Sequence, residues 1–177
     1  EQSFNGTIYN NESKVNSIIN KNGDLIHKCY LDVKLPEFEA NSSNTNDDYT
    51  NWTNATGYAY LKEVSVSIGD LLIDKHISEW FDIWNELTDL NNDQHLLVNK
   101  TLAKNNNLKN NDMKQSCKPI QCYIPLLFWF NRHINSSLPL LALQYHDVKL
   151  EFIFRDIRHL INTSGTIGNS PSNLPSV

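Results

Sequence analysis

His76 stands in the run Asp74-Lys75-His76, with Glu79 three positions further on. A His and a Glu three apart share one face of a helix, and that pair can hold a metal ion. The chain turns from strand to helix here, so a structural hydrogen bond or a subunit contact is the plainer role for His76. His146-Asp147, after Gln144-Tyr145, is a second polar cluster. A general base needs a nucleophile or second carboxylate within reach, and none stands at a readable spacing. His27 falls on an apolar strand face and reads as a core histidine. The chain carries no nucleophile elbow, Gly-rich phosphate loop or HExxH motif. These residues predict no catalytic, cofactor-binding or metal-binding site, and a protein that is not an enzyme.

The three cysteines, Cys29, Cys117 and Cys122, leave one unpaired under any scheme, which fits a reducing compartment better than a disulfide scaffold. Cys117 and Cys122 have no paired Cys or His at zinc-like spacing, and Cys29 reads as a small buried hydrophobe. Asn-x-Ser/Thr is more frequent. It occurs at Asn5, Asn11, Asn41, Asn51, Asn54, Asn99, Asn135 and Asn162. With 25 Asn and 24 Ser plus Thr in 177 residues, chance would give roughly three such sites. Asn41, Asn51, Asn54, Asn99 and Asn135 are the surface acceptors expected if the chain meets a glycosylation machinery.

The elements that must position these groups come from one domain's worth of chain. Hydrophobic residues make up 40%, yet the mean hydropathy is -0.47. The polarity gathers in NSSNTNDD, NNDQ and KNNNLKNND, which cannot bury enough apolar surface to offset ordering and read as loops. A net charge of -5 and a pI near 5.6 argue against a nucleic-acid partner, which calls for a basic face. The chain opens EQSFNGT, without Met, basic n-region or apolar h-region, and is expected to be a piece of something longer. No run approaches the roughly 18–20 apolar residues of a membrane span.

LIHKCYLDVKL, residues 25–35, alternates with period two: Leu25, His27, Cys29, Leu31, Val33 and Leu35 share a face. Asn22-Gly23 before it is a hairpin signal, with residues 15–20 as the expected partner. Pro36 ends the strand and a loop to about residue 56 follows. In GYAYLKEVSVSIGD, Val64, Val66 and Ile68 alternate with Ser65 and Ser67, and Gly69-Asp70 turns the chain into a short strand at 71–75. Then the period changes. Trp80, Ile83, Trp84 and Leu87 sit at i, i+3, i+4 and i+7, predicting one helix over 78–87 with Ser78 as N-cap and the two tryptophans toward the core. Residues 89–119 form a second polar insertion. Val148, Leu150, Phe152 and Phe154 alternate with Lys149, Glu151 and Arg155, a final strand, and a Gly/Ser/Asn/Pro tail follows Asp156. Short strands, long loops and one helix predict an antiparallel β-sandwich of jelly-roll or Greek-key type.

The most apolar stretch is YIPLLFWF, residues 123–130. It is too short to span a bilayer, and Asn131, Arg132 and His133 follow it. As a strand it sends Ile124, Leu126, Phe128 and Phe130 to one face and Tyr123, Leu127 and Trp129 to the other. Both faces are apolar, so both require cover: the sandwich on one side, the Trp80/Trp84 helix or another subunit on the other.

EQSFNGT, NGDLIHKCYLDVKLP, SIGDLLIDKHISEWFDIWNELT, YIPLLFWFNR and LPLLALQYHDVKLEFIF, in that order, resemble the major capsid protein of nucleocytoplasmic large DNA viruses. The resemblance covers about residues 1–157 and matches the N-terminal half of that family's double jelly roll. It implies a mainly β, eight-stranded jelly roll over 1–157, with 158–177 a linker or tail toward a second jelly roll absent from this chain. It also implies a homotrimeric, pseudo-hexagonal capsomer that tiles an icosahedral shell over an internal membrane. Partners would be self, neighbouring capsomers and minor capsid proteins; the site would be the virion, with assembly in the host cytoplasm and no direct contact with nucleic acid. Long loops form outward towers in such subunits, glycosylated in some members.

Trp80, Trp84, Phe128, Trp129, Phe130, Pro139 and Leu140 are then the expected packing and assembly residues, chosen for their apolarity. The competing reading is a lectin-like carbohydrate-binding jelly roll on a virion or cell surface, in which a loop aromatic such as Trp52 stacks on a sugar ring.

Overall fold

A computed structural model of the chain describes residues 2–9, 11–36, 38–39, 50–53, 55–88, 116–117 and 119–163. The longest sheet follows the alternation read from the sequence. Strand β1 is Ser13–Ile18, β6 Leu61–Ile68, β7 Leu71–Ile77 and β11 Val148–Phe154, and they join antiparallel in the order β1-β11-β6-β7. Val15, Val64, Val66, Val148, Leu150, Phe152 and Phe154 turn inward and are buried. The outward face carries Lys14 against Glu151 at 2.8 Å and Lys75 against Glu63 at 3.0 Å. Such exposed pairs contribute little to stability, so the inward face holds the sheet.

The opposing layer is built from pairs. Strand β3, Tyr30–Leu35, pairs with β9, Ile120–Pro125; β2, Leu25–Ile26, pairs with β10, Leu138–Pro139. Two further pairs join β4, Phe38–Glu39, to β8, Ser116–Cys117, and β5, Thr50–Trp52, to β12, Ile161–Thr163. Leu31, Val33, Leu35, Ile124 and Leu126 meet the inward residues of the four-stranded sheet in one core. Tyr60 lies parallel to Phe154, with ring centres 4.7 Å apart. Each fully buried aliphatic or aromatic side chain is worth about 1.5–3 kcal/mol relative to exposure. This is the antiparallel β-sandwich expected from the sequence.

Several local expectations change. Residues 25–35 are two strands, interrupted at 27–29, and Leu25 is exposed. The Asn22-Gly23 segment does not close a hairpin: Gly23 lacks the positive φ of such a turn, and β1 pairs with β11 instead. Phe152 and Leu150 offer Val15 and Ser17 a deeper partner than the short β2 does. GYAY belongs to helix α1, Thr56–Tyr60, rather than to the following strand. Gly57 allows that helix to rest on β9, since a Cβ there would lie 3.2 Å from Ile124 Cγ1.

The Gly69-Asp70 turn is as read, with both residues at positive φ, and β7 runs to Ile77. The apolar run at 123–130 is not one strand. Strand β9 stops at Pro125, Phe128 bends the chain, and Trp129–Arg132 form a helical turn, α3. Ile157, Leu160 and Ile161 are buried, and β12 is paired with β5.

Candidate assembly surface

Helix α2, Ser78–Thr88, presents two stripes. The core receives Ser78, Phe81 and Asn85, while Trp80 and Trp84 are half-buried and Ile83 and Leu87 exposed. The stripe expected to face the core therefore flanks it and looks partly outward. Two polar residues on the inner stripe hid it from the period count. Ser78 is the first helical residue; its Oγ accepts a hydrogen bond from Arg155 Nη2 at 3.0 Å, which ties α2 to β11.

The tryptophans lean on each other, 5.7 Å between ring centres, and Arg132 of α3 lies 4.5 Å over Trp84. Phe128 and Phe130, both fully buried, stack 5.7 Å apart beneath this group. Trp129 meets Phe130 edge-on at 5.0 Å and is only half-buried. The second face of the apolar run is thus not covered as expected: Tyr123 is exposed, and Leu127 and Trp129 are half-buried. Of the remaining packing candidates, Leu140 is buried and Pro139 exposed.

Strand β7 leads directly into α2 and is an edge of the four-stranded sheet. Leu71, Leu72, Ile73 and Ile77 on β7, with Ile83 and Leu87 on α2, are each 44–71% exposed. At the other edge β1 bonds to the N-terminal segment, Asn5 N to Asn16 O at 2.6 Å and Asn16 N to Asn5 O at 3.0 Å. Among the described residues, β7 has no strand beyond it. An apolar edge left bare is a site for another chain or for aggregation. Sequence reading missed it because residues 71–75 looked like the return arm of a hairpin, and only the sheet order shows which arm is outermost.

The polar residues singled out for chemistry do not converge. Lys75 points to Glu63, Glu79 lies 3.6 Å from Arg155, and His76 turns inward, buried, with Nε2 3.4 Å from Asp74 Oδ2. Burial pushes the His76 imidazole below its ordinary value; Asp74 opposes that and Arg132 adds to it. His146 packs on the Gly69 turn, and Asp147 pairs with Lys21 at 3.3 Å. His27 Nδ1 lies 2.9 Å from the Phe130 carbonyl.

Cys29 and Cys122 are free thiols, both raised by burial, Cys122 to about 11 with Asp32 adding to the effect. Cys117 lies in β8. Asn135, Asn5, Asn11 and Asn162 are exposed, and Asn51 lies in β5. Asn41, Asn54 and Asn99 lie outside the described residues. Trp52 is buried in the core, which removes it as a sugar platform.

A mainly antiparallel sandwich with a few short helices is a jelly-roll architecture, and the solved structures it matches are viral capsid proteins. The chain belongs to the family described as the major capsid protein N-terminus, whose model matches residues 1–177. It is 38% identical over 174 residues to the major capsid protein of Pyramimonas orientalis virus, covering 93% of this chain and 39% of that one. The major capsid protein of Phaeocystis pouchetii virus is 32% identical over 182 residues, covering 91% of this chain and 34% of the relative.

Among solved structures, a quasi-atomic model of the PBCV-1 virus capsid matches with a TM-score of 0.76 and 28% identity, over 99% of this chain and 38% of that one. The Faustovirus major capsid protein matches in fold, with a TM-score of 0.70 at 9% identity, over 94% of this chain and 44% of that one. The chain thus spans between a third and two fifths of the length of these two sequence relatives.

Proposed function

We propose that this chain is the N-terminal jelly roll of a structural capsid subunit, and that its work is assembly rather than catalysis. The observation that carries the proposal is the run 71–88, where β7, an edge strand among the described residues, and the helix after it expose six large apolar side chains. Monomeric surfaces rarely keep such a patch, whereas obligate interfaces are apolar and bury more than roughly 2,000 Å². Relatives named as major capsid proteins support the same reading.

In this proposal the subunit forms a homotrimeric, pseudo-hexagonal capsomer in the virion shell, assembled in the host cytoplasm. It touches neighbouring capsomers and minor capsid proteins, over an internal membrane. Trp80 and Trp84 brace α2 beside a subunit contact, and Pro139 and Leu140 brace the β2-β10 corner. Asn135 is the acceptor among the five expected sugar sites whose exposure the described residues support. Size-exclusion chromatography with multi-angle scattering on the full-length protein tests the assembly role. A stable trimer is expected, weakened by Trp84→Ala; a stable monomer that binds glycan would overturn the reading.

A further inference from the structure

We propose that His76 is an acid-operated latch that holds α2 on the sandwich. Its ring is the meeting point of three elements. Phe128, from the link between β9 and α3, stacks on it with centres 5.0 Å apart and planes 21° apart. From α2, Phe81 meets it edge-on at 6.1 Å, and Trp80 lies 6.3 Å away. On the neighbouring strand β6 the residue opposite is Val64, fully buried. His76 precedes the first residue of α2 by only two positions, so displacing the ring pulls on the first turn of the helix.

The hydrogen bonding of this ring suits the neutral form alone. Nε2 faces Asp74 Oδ2 at 3.4 Å, while Nδ1 is buried and has no partner among the described residues. A bare ring nitrogen facing apolar groups is a modest cost, but a buried N–H without an acceptor costs the full desolvation of the donor. Protonation also adds a positive charge to a pocket of aromatic and aliphatic side chains.

The charged surroundings divide. Asp74 on β7 favours the cation, and Arg132 on α3 disfavours it. Lys75 is turned outward to Glu63, and Glu79 on α2 is turned toward Arg155, the residue after β11. Because the folded state favours the neutral ring, its contribution is complete above the ordinary histidine value of about 6.5 and is lost as pH falls below it. Acid therefore expels the imidazole, loosens α2 and bares the rest of its apolar stripe.

Hydrogen exchange of the full-length protein, corrected for intrinsic rates, reads the latch directly. Protection of the amides of 78–88 should fall about tenfold between pH 7 and pH 5, reversibly, while β6 and β11 stay protected. His76→Phe keeps the stacking and cannot take a proton, so protection should become flat with pH. Asp74→Asn removes the charge that favours the cation in the folded state and should deepen the loss of protection at pH 5, which serves if His76→Phe does not fold. An unchanged α2 at pH 5, a loss shared equally by all strands, the same pH profile in His76→Phe, or a loss no deeper in Asp74→Asn than in the wild type would each overturn the latch. Its consequence for assembly rests on α2 lying at a subunit contact: if α2 opens while scattering still reports trimers, that placement fails and the latch stands.

Discussion

The Arg132 guanidinium lies 4.5 Å from the centre of the Trp84 ring, joining α3 to α2 across a gap that no backbone hydrogen bond spans among the described residues. Its Nε also donates to the Leu127 carbonyl at 3.2 Å, which helps hold the side chain over the indole. Exposed cation–π contacts contribute about 0.5–1 kcal/mol, and a lysine cannot reproduce the planar contact. Arg132→Ala should destabilise by about 1 kcal/mol, with Arg132→Lys recovering only part of it. Urea denaturation followed by tryptophan emission measures both; equal stability of all three forms would show that the contact is idle.

Phe128 and Trp129 are adjacent, yet their substitutions should differ severalfold. Phe128 is fully buried between Phe130 and His76, whereas Trp129 is half-buried. Phe128→Ala leaves a cavity and should cost about 3–5 kcal/mol, while Trp129→Ala gives up less buried surface and should cost less. Thermal melts of the two variants order them, and a larger loss at Trp129 would mean that the bend at Phe128 is misplaced.

How much of this was legible depended on whether burial followed a local period. Val148 to Phe154 announced itself, because each inward residue is large and each outward one is polar or half-buried. The Gly69-Asp70 turn did likewise, through two residues that tolerate positive φ. The pairing of β1 with β11 was not legible, since the partners stand more than a hundred residues apart and Asn22-Gly23 offered a plausible local substitute.

Helix α2 was located correctly but oriented wrongly. Its inner stripe includes Ser78 and Asn85, so the stronger apolar period belonged to the face that looks outward. That error is informative. A stripe of Trp, Ile, Trp and Leu that the monomer does not fully bury is what an assembly surface looks like in sequence, and periodicity alone cannot separate it from a core face.

Gly69 has φ 55°, and a Cβ placed on it would stand 2.7 Å from His146 Nδ1. Gly69 N also donates to the Asp147 carbonyl at 3.0 Å, which seats the turn on the segment leading into β11. Gly69→Ala therefore meets both backbone strain and a clash, and should destabilise by about 1–2 kcal/mol. Asp70, at φ 65°, sits where Asn or Gly is as well accommodated, so Asp70→Asn should be close to neutral. Melting temperatures of the two variants decide this, and a tolerated Gly69→Ala would require the hairpin to adopt another turn.

Asp156 caps the 3-10 turn Ile157–Leu160: its Oδ1 accepts from the Arg158 backbone N–H at 2.9 Å, and Oδ2 receives Arg158 Nη2 at 2.6 Å. The hydrogen bond from the Arg158 side chain, more than any other influence, holds this carboxyl below its usual value. A depressed carboxylate stabilises the fold above its unfolded value of about 3.9 and loses that contribution as pH falls through the folded one. Asp156→Ala removes cap and ion pair together and should cost about 1 kcal/mol at pH 7, whereas Asp156→Asn retains a capping oxygen and should cost less. Both variants should lose less stability than the wild type between pH 5 and pH 2. Melts across that range test the sign: an acid limb as steep in Asp156→Asn as in the wild type would show that another carboxylate governs it.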